Sequence, residues 1–559
     1  MFSTSIIATI IKEFSGNLFL YPGGTIAPLL HECKRINVNL IVSKNEQGAG
    51  YMALAESQLT NKSAFVAVTS GPGATNIITP IADAYYDSIP LIIITGQVGV
   101  SDLERSNDIR QRGFQEVPII DMVKAITKKI FQPKSVEELS SAIHEAYIIA
   151  NSNRKGPVLI DLPMSIQLQK IDDGILNNLL NIEKLKTKEQ KNILKNELIS
   201  ECLNIINLAK KPIVLLGGGT QENWLEIREY LQKINIPVLS TLRGLGVVND
   251  TNYHGWIGHT GFPWSNEILF EADTILVLGS RLDIRQTGSE TYILDEKKVI
   301  HVDIDTNELD NCRVKNTIKI NSTVVDFLEA MSSKIVISSN KDWEGQIKNI
   351  EFSHKLGDDG KSHGVNPSEV LKYIDKIINN QNTLITTGVG SHQHWVARYI
   401  KFDNQSRKFF SSAGHGTMGY SLPVALGLKY ISPDSLVICI DGDGSFQINI
   451  QELALIDELN LNIKILVMDN NKLGIVSQFQ NITFGDDPTT GNFRNPDFVE
   501  IAKAYKIDAY YMESFDKEIV TQWINSKKAS LLHVKIKYDA PLSPMLLGGQ
   551  KLNEMWKYE

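Results

Sequence analysis

Short runs of apolar residues recur along this chain, and most of them end in a glycine, an aspartate or a serine. Runs that are apolar at every position, rather than at alternate positions, predict strands of a parallel sheet with helices on both faces. We place such strands in the runs that begin at Ala64, Leu91, Pro157, Pro212, Thr274, Val299, Thr383, Ser435, Ile463 and Leu531.

Longer segments with helical periodicity lie between these runs, for example Pro367 to Asn379 and Ile448 to Leu459. Alternating strands and helices predict an α/β fold of doubly wound parallel sheets, whose ligands bind beyond the carboxyl ends of the strands. Two polar stretches, Asp172 to Asn196 and Ser338 to Lys361, divide the chain into thirds. We therefore predict three doubly wound domains at 1–170, 190–335 and 362–540, followed by a C-terminal tail at 541–559.

Composition narrows the class of protein. A chain of 559 residues is too long for one hydrophobic core. Its net charge of −8, with no basic block, argues against a nucleic-acid surface and favours small-molecule substrates. No apolar run approaches the ~20 residues of a membrane span, and the N-terminus lacks a secretory pattern, so we expect a cytoplasmic protein. The cysteines, which are scattered, predict neither a disulfide framework nor a zinc site.

Oxygen ligands and glycines follow two neighbouring strands. Asp443 comes directly after one predicted strand, and Asn470 follows the next strand along the chain. Carboxylate and amide oxygens suit Mg²⁺, which takes about six oxygen ligands. Gly442 and Gly444 would let backbone N–H groups approach a diphosphate, and Ser445 opens the next helix, whose positive end favours an anion.

Two other interpretations of these segments are weaker. A calcium-binding EF loop requires glycine at the position of Phe446 and a preceding helix rather than a strand. The residues from Gly414 to Gly419 fit GxGxxG, which alone is weak support for an NAD-linked oxidoreductase. That class needs an acidic ribose partner at the end of the next strand, whereas Asp434 lies in the turn before it.

Motifs along nearly the whole chain resemble, in order, those of the acetolactate synthases, a branch of the thiamine-diphosphate (ThDP) dependent decarboxylases and carboligases. The ThDP-binding pattern of that family matches Gly442 to Ser445 followed by Asn470 and Asn471. Further matches are Tyr21–Gly24, Asn45–Gln47, Thr69–Asn76, Thr95–Gln97, Phe114–Glu116, Thr387–Gly390 and His415–Gly419. The resemblance implies an enzyme that uses ThDP and Mg²⁺ to decarboxylate pyruvate and to transfer the two-carbon unit to an acceptor carbonyl.

The resemblance also implies roles for individual residues. Glu46 would hydrogen-bond the pyrimidine ring of ThDP and drive its exocyclic amine to the imino form, which takes the proton from the thiazolium carbon. Met418 would hold the cofactor in the bent shape that brings these two groups together. Phe114 and Gln115 would line the catalytic pocket.

Other residues would contact the cofactor or its metal. Asp443, Asn470 and the carbonyl of Lys472 are the implied metal ligands. The remaining implied contacts with ThDP are Pro22, Gly23, Thr69, Asn76, Val389, Gly390, Ser391, His392, Gly416, Gly442, Gly444, Ser445, Leu473, Gly474 and Ile475. Many relatives have Gln in place of Ser391. In this family Glu46 and the Asp443 loop face each other across a subunit interface, which implies a homodimer or homotetramer; a regulatory subunit is possible.

The middle third resembles the flavin-binding domain of the same family. The matching residues are Gly217, Gly218, Gly219, Thr241, Leu242, Arg243, Gly279, Arg281, Asp303 and Ile304. Glycines at strand ends suit a dinucleotide phosphate, and Arg281 could pair with it. Carboligation needs no net redox step, so FAD would have a structural role. The alternative is a domain that keeps the fold and binds nothing.

The acceptor is the least determined part of the prediction. Arg285 matches an arginine that holds the carboxylate of the acceptor, which favours a keto acid. Phe479 replaces a tryptophan that shapes preference for a longer keto acid, and His259 stands where methionine is usual. These departures leave an alternative open, in which the two-carbon unit is added to a ketone such as a nucleotide-linked keto-sugar.

Overall fold

The computed structural model describes residues 1–106, 108–180, 194–289, 291–332, 334–335, 340–378, 381–487, 489–491 and 493–557. Within these ranges the named strands form three six-stranded sheets. Every neighbouring pair of strands is parallel. Helices connect the strands, as parallel pairing requires. The predicted α/β fold class is confirmed.

The N-terminal sheet has the strand order β2-β1-β3-β4-β6-β5. Its strands are β1 (Asn17–Tyr21), β2 (Asn39–Val42), β3 (Ala64–Val68), β4 (Leu91–Gln97), β5 (Lys129–Phe131) and β6 (Pro157–Pro163). The helices around it are α1 (Ser5–Phe14), α2 (Ala27–Arg35), α3 (Glu46–Thr60), α4 (Pro72–Asn76), α5 (Ile78–Tyr86), α6 (Val100–Leu103), α7 (Ile119–Val123), α8 (Val136–Asn151), α9 (Met164–Gln167) and α10 (Asp173–Leu179).

The central sheet has the strand order β12-β11-β10-β7-β8-β9. Its strands are β7 (Pro212–Leu216), β8 (Val238–Ser240), β9 (Tyr253–Trp256), β10 (Thr274–Leu278), β11 (Lys298–Asp303) and β12 (Thr317–Asn321). Its helices are α11 (Asn196–Leu208), α12 (Trp224–Ile234), α13 (Pro263–Glu271), α14 (Ile284–Thr287), α15 (Tyr292–Asp295), α16 (Thr306–Asp310), α17 (Val324–Ser332) and α18 (Lys341–Ser353).

The C-terminal sheet has the strand order β14-β13-β15-β16-β18-β17. Its strands are β13 (Thr383–Thr387), β14 (Arg407–Ser411), β15 (Leu436–Gly442), β16 (Lys464–Asp469), β17 (Asp508–Met512) and β18 (Ser530–Lys535). Its helices are α19 (Pro367–Ile377), α20 (Ser391–Tyr399), α21 (Ser421–Ile431), α22 (Asp443–Phe446), α23 (Ala454–Glu458), α24 (Gly474–Phe484), α25 (Phe498–Ala504) and α26 (Lys517–Asn525).

The strands predicted from continuous apolar runs are all present, because they are the strands that the helices cover on both faces. In β3, β4, β6, β7, β10, β13 and β16 every residue is buried. Eight strands were not predicted: the edge strands β2, β5, β9, β12, β14 and β17, and the interior strands β1 and β8. An edge strand faces solvent on one side and therefore carries no continuous apolar run.

Two sequence predictions change in detail. The segment Ile448 to Leu459 is not one α-helix, because Asn449 has non-helical dihedrals (φ −122°) within a 3-10 helix at Gln447–Leu453 that precedes α23. The predicted linkers contain α10 and α18, while residues 181–193 and 338–339 of those stretches lie outside the described residues. The start of the middle domain at 190 falls there too, and the domain boundaries stay predictions.

One hydrophobic core joins the N-terminal and C-terminal sheets. It contains Tyr51, Met52 and Ala55 of α3 together with Leu422 and Leu428 of α21. The two helices are so close that a Cβ at Gly427 would lie 2.7 Å from the backbone oxygen of Met52. This packing fixes the two sheets relative to each other. None of the helices in the described parts of the chain has the length and apolar character that a membrane span requires.

Candidate active site

Three loops meet at the carboxyl edge of the C-terminal sheet, where β13, β15 and β16 lie side by side. Glycines let them approach closely. A Cβ at Gly388, after β13, would lie 2.2 Å from Ser445 Oγ, after β15. A Cβ at Gly474 would lie 2.8 Å from both Asn470 Nδ2 and Ser391 Oγ. The predicted diphosphate and metal residues are therefore brought together.

Asp443 opens α22 and is buried beside a second carboxylate, Asp469. Asn495 Nδ2 donates to Asp443 Oδ2 at 2.6 Å and to Asp469 Oδ1 at 2.9 Å. Burial raises the pKa of Asp443, and the nearby charge of Asp469 raises it further. Although burial opposes the shift, hydrogen bonds from His533 and the Asn471 N–H lower the pKa of Asp469. Two acids that share one amide make a site that a cation would stabilise.

The donor set around Asp443 fits Mg²⁺. Asn470 is buried, and its side-chain oxygen lies 3.3 Å from the backbone nitrogen of Lys472. The Lys472 ammonium is not aimed at the acids, because its Nζ lies 4.0 Å from the centre of the Tyr538 ring. A carboxylate, an amide oxygen and a backbone carbonyl are hard ligands of the kind that Mg²⁺ prefers.

The loop after β13 leads into α20 with Gly390 at φ +151°, a conformation that favours glycine. Val389 precedes it, and Ser391 and His392, which follow it, are buried. His392 Nε2 lies 3.1 Å from Asp441 Oδ1, and a Cβ at Gly442 would lie 2.8 Å from His392 Nδ1. A side chain at 442 would collide with the His392 ring, so the close approach of these two loops requires glycine at this position, which is half-buried.

Met418 lies against the loop after β15. Its Cε is 3.5 Å from the position of a Cβ at Gly444, and Leu473 Cδ2 is 2.6 Å from the same position. The neighbouring Gly419 N–H donates to Ser445 Oγ at 2.9 Å. Gly416, at φ +78°, turns the chain in front of Met418. Ile475, just inside α24, is half-buried. The methionine therefore stands over the glycine-rich loop.

Glu46 opens α3 at the carboxyl edge of the N-terminal sheet and is 6% exposed. Asn76 Nδ2 donates to Glu46 Oε2 at 2.9 Å. The other oxygen, Oε1, lies beside Gly73, where an added Cβ would be only 3.3 Å away. At the same edge a Cβ at Gly23, which follows the exposed Pro22, would lie 2.3 Å from Thr69 Cβ. The predicted pyrimidine-side residues thus form a second cluster.

Phe114 and Gln115 belong to a loop that contacts this second cluster. Gln115 has φ +61°, and a Cβ at Gly71 would lie 3.0 Å from Gln115 Cβ. An ion pair of 2.8 Å between Arg112 and Glu116 closes the loop. Phe114 is 85% exposed in the single chain. Its ring is free to contact a substrate or a second subunit.

Several residues that contact the predicted site residues or their neighbours were not predicted from the sequence. Asp469 could have been found, because it ends β16 directly before Asn470. Asn495 had no such signal, since it lies in a loop without strand or helix periodicity. Glu452 accepts from the Lys44 N–H at 3.2 Å with each oxygen, just ahead of Glu46, and burial raises its pKa to about 7.

The glycines of the central sheet pack loops against each other. A Cβ at Gly217 would lie 2.1 Å from the backbone oxygen of Gly279, and the Gly219 N–H donates to that oxygen at 2.9 Å. Gly218 faces Arg243, whose Cβ would be 3.2 Å from an added Cβ. Loop packing alone accounts for Gly217 and Gly279, whereas Gly218 also leaves backbone accessible beside an arginine.

The other predicted flavin-binding residues mostly form hydrogen bonds with neighbouring residues of the central domain. Arg281 binds Asp283 at 2.8 and 3.0 Å, and Asp303 Oδ1 accepts from the Asp305 N–H at 2.9 Å. The Ile304 carbonyl accepts from the side-chain amide of Asn321 at 2.9 Å. Leu242 is the first residue of a 3-10 helix. Within the described residues, the buried polar atoms without a hydrogen-bond partner include Thr241 Oγ1 and Ser322 Oγ, which directly follow β8 and β12. A polar ligand at this edge would satisfy them, so the residues present fit a dinucleotide.

Arg285 lies on α14, with its NH1 atom 3.3 Å from His259 Nδ1. Burial, reinforced by Arg285 and Arg398, lowers the pKa of His259 to about 4, so the imidazole is neutral at pH 7 and can accept this hydrogen bond. Phe479 lies on α24, is 46% exposed and contacts Phe484 edge-on. The C-terminal tail at 541–559 contacts the neighbours of both residues. The Leu546 N–H donates to the carbonyl of His259, beside Arg285, and Gln478, next to Phe479, donates to the Leu542 carbonyl.

Three thiamine pyrophosphate enzyme models match the chain: the N-terminal TPP binding domain at residues 2–124, the central domain at 199–331 and the C-terminal TPP binding domain at 388–534. Thiamine pyrophosphate (TPP) is another name for ThDP.

Relatives that match nearly the whole of this chain are named acetolactate synthases. The acetolactate synthase catalytic subunit, mitochondrial, of Saccharomyces cerevisiae is 32% identical over 97% of this chain and 81% of its own length. The acetolactate synthase isozyme 2 large subunit of Escherichia coli is 32% identical over 96% of both chains. The large subunit of Lactococcus lactis is 32% identical over 99% of this chain and 95% of its own. This chain therefore belongs to the acetolactate synthase family of ThDP-dependent carboligases, which decarboxylate a substrate and form a carbon–carbon bond.

Proposed function

We propose that this carboligase takes pyruvate as donor and a second keto acid as acceptor, with Mg²⁺ as its metal and FAD as a structural cofactor. The observation that carries the proposal is the position of Met418 against Gly444, beside the buried oxygens of Asp443 and Asn470. These side chains supply, at one sheet edge, a cation site, an open glycine backbone and a bulky apolar side chain.

Each part of this edge has a task. Asp443, Asn470 and the Lys472 carbonyl would hold Mg²⁺, and the backbone at Gly442 and Gly444 would receive the diphosphate. When bound, ThDP supplies a thiazolium carbon that adds to a keto group and accepts the electron pair released as CO₂ leaves. Met418, which lies against Gly444, would exclude water from this place and help to set the shape of the bound cofactor.

Glu46 would hold the proton at the pyrimidine ring nitrogen. Asn76 occupies its Oε2, which leaves Oε1, beside Gly73, for that nitrogen. The side chain is almost fully buried, so a hydrogen bond from it to a ring nitrogen is stronger than it would be in water. Phe114 and Gln115 would line the substrate side of the same cluster.

Arg285 would bind the carboxylate of the acceptor. A planar guanidinium suits a carboxylate, and the hydrogen bond to the neutral His259 orients it without neutralising its charge. Phe479 would form part of the wall for the acceptor's side chain, where the smaller ring leaves more space than tryptophan would.

FAD would bind at the carboxyl edge of the central sheet. The unpartnered polar atoms of Thr241 and Ser322, together with Arg243 beside Gly218, support this proposal. Arg281 would have to leave Asp283 to reach a phosphate. Because the reaction needs no net electron transfer, removal of the flavin should leave the chemistry possible and weaken the fold.

The working form would be a homodimer or homotetramer in the cytoplasm. In support, the family arrangement sets Glu46 opposite the partner's cofactor loop, and Phe114 and Phe484 are exposed apolar side chains in the single chain. The relatives are named catalytic or large subunits, which supports a regulatory partner. The relative from S. cerevisiae is named as mitochondrial, so the location stays a prediction.

A single assay tests the reaction. Purified protein is mixed with ThDP, Mg²⁺ and pyruvate, alone or with 2-ketobutyrate or a nucleotide-linked keto-sugar, and the products are identified by mass. We expect CO₂ release and acetolactate from pyruvate alone. A product that forms only with the keto-sugar would show that the acceptor is a keto-sugar and not a keto acid. A protein with no affinity for ThDP would overturn the whole proposal.

A further inference from the structure

A buried carboxylate joins the N-terminal domain to the loop that carries Met418. Asp83, on α5, is 0% exposed. The hydroxyl of Tyr51 donates to Asp83 Oδ2 at 2.9 Å, and the hydroxyl of Ser412 donates to Asp83 Oδ1 at 2.5 Å. Tyr51 belongs to α3, the helix that begins at Glu46, whereas Ser412 follows β14 of the C-terminal domain.

Ser412 connects Asp83 to the backbone of the Met418 loop through hydrogen bonds. Its Oγ accepts from the Gly416 N–H at 2.9 Å and from the Thr417 N–H at 3.0 Å. A hydroxyl has one proton and two lone pairs, so the bond to Asp83 and these two bonds saturate it. Asp87, just after α5, accepts from the Ala413 and Gly414 N–H groups at 3.1 and 2.9 Å.

The other end of the loop is also held. The Gly419 carbonyl accepts from Asn449 Nδ2 at 2.8 Å, and the same amide donates to Gln47 Oε1 at 3.0 Å. Gln47 is the neighbour of Glu46. Met418 therefore stands between two anchors, and residues of the N-terminal domain contribute to both.

We propose that Asp83 is a positioning residue of the reaction: through Ser412 it holds the Met418 loop in the place where the methionine bends the cofactor. A carboxylate has two acceptor oxygens and can accept from the Tyr51 and Ser412 hydroxyls at the same time, one on each oxygen. An amide has a single acceptor oxygen, so in Asp83→Asn one of the two hydroxyls would face an N–H group instead. The inference rests on the proposed function, since it needs ThDP at this edge.

Asp83→Asn and Ser412→Ala test the proposal, with Glu56→Gln as the matched control. Glu56 is also a buried acid, on α3, and accepts from Ser15 Oγ at 2.5 Å and Asn17 Nδ2 at 3.0 Å, far along the helix from Glu46. Two quantities are measured on the full-length protein with Mg²⁺: the Kd of ThDP, and the rate of hydrogen–deuterium exchange at the thiazolium C2 at saturating ThDP. The second reports how fast the imino group removes the C2 proton, which requires the bent shape but no turnover.

We expect both Asp83→Asn and Ser412→Ala to slow C2 exchange about 10- to 100-fold, as a displacement of roughly 1 Å would, and to weaken ThDP binding. Glu56→Gln should change neither quantity more than about twofold, because it does not touch the loop. Exchange at the wild-type rate in both test variants would overturn the inference while leaving the proposed function intact. Failure of the wild-type protein to bind ThDP would instead refute the proposed function. If Asp83→Asn does not fold, the Ser412→Ala variant decides the question, because it leaves the buried pair of Asp83 and Tyr51 unchanged.

Discussion

Buried carboxylates surround the candidate active site, and their donors decide what each can do. Glu46 has one oxygen held by Asn76 and one left for a ligand. Asp83 accepts two hydroxyl protons, and Glu452 accepts the Lys44 N–H at the turn before Glu46. Burial raises the pKa of Asp83 and Glu452, and the hydrogen bonds that each carboxylate accepts oppose this rise.

Glu46→Gln should lower the rate of CO₂ release roughly 100- to 10,000-fold, because an amide cannot hold the proton at the pyrimidine nitrogen as a carboxylate does. The rate is measured with saturating ThDP and Mg²⁺. ThDP should still bind, since the proposed Mg²⁺ ligands lie on the C-terminal sheet. Turnover close to that of the wild-type enzyme would show that Glu46 is not the catalytic acid.

Glu452→Gln tests a pH effect whose sign follows from the pKa of Glu452, which burial raises from 4.5 to about 7. Between these values the folded state binds more protons than the unfolded state, so the wild type loses stability as pH rises, by at most ~1.4 kcal/mol per pH unit. The Gln variant lacks this loss. Its Tm relative to wild type should therefore increase from pH 5 to pH 7 and then level off.

The control for this experiment is Glu458→Gln, which changes an exposed acid paired with the side chain of Lys44. Its Tm difference from the wild type should stay constant over the same pH range. A parallel change in both variants would mean that the pH dependence arises elsewhere in the protein.

At the scale of elements, glycines at strand ends allow neighbouring loops to touch. Gly388 lies against Ser445 in the C-terminal sheet, and Gly217 lies against Gly279 in the central sheet. In the first case the neighbour is a side chain, and in the second it is backbone. Backbone neighbours cannot move away without breaking strand pairing, so the central pair should tolerate substitution less well.

Gly217→Ala should lower Tm by the equivalent of about 1–3 kcal/mol, because its Cβ would lie 2.1 Å from the Gly279 oxygen. Differential scanning calorimetry measures the change. Gly345→Ala is the control: Gly345 lies exposed within α18 with no atom near an added Cβ. It should stabilise the protein by up to ~1 kcal/mol. Equal effects of the two substitutions would contradict the packing argument.

For the whole molecule, contacts between domains determine how the three sheets fit together. α3 packs on α21, and Arg154 of the N-terminal domain binds Asp305 and Glu308 of the central domain at 3.0 and 2.5 Å. Arg398 of α20 pairs with the buried Asp358 at 2.6 Å and donates to carbonyls of Thr260 in the central domain and of Pro544 in the tail. One guanidinium thus joins three parts of the chain.

Arg398→Met should destabilise the protein by about 3–5 kcal/mol, because Asp358 would keep a buried charge without its partner. Tm and the rate of proteolysis in the tail measure the effect. Adding Asp358→Asn to the variant should recover part of the loss. Lys503→Met, which breaks an exposed pair, should cause no measurable change. An Arg398 variant as stable as the Lys503 variant would rule out this role.

Much of the fold was present in the sequence, because short continuous apolar runs that end in turn residues are typical of strands covered on both sides. The residues expected at the ThDP edge, such as Asp443, Asn470 and Met418, do lie together, since parallel strands end at the same edge. Their roles stay predictions. Edge strands such as β2 and the break at Asn449 were missed, because partly exposed segments do not have a distinct periodicity.

The sequence by itself determined the α/β class, the family and the short motifs, because these depend on residues close together along the chain. Only the tertiary structure showed that Asn495 bridges Asp443 and Asp469, that Asp83 anchors the Met418 loop, and that Arg398 joins domain and tail. Each of these contacts joins residues far apart in sequence. A buried charge can be recognised as functional or structural only when its partners in space are known, and no local pattern records them.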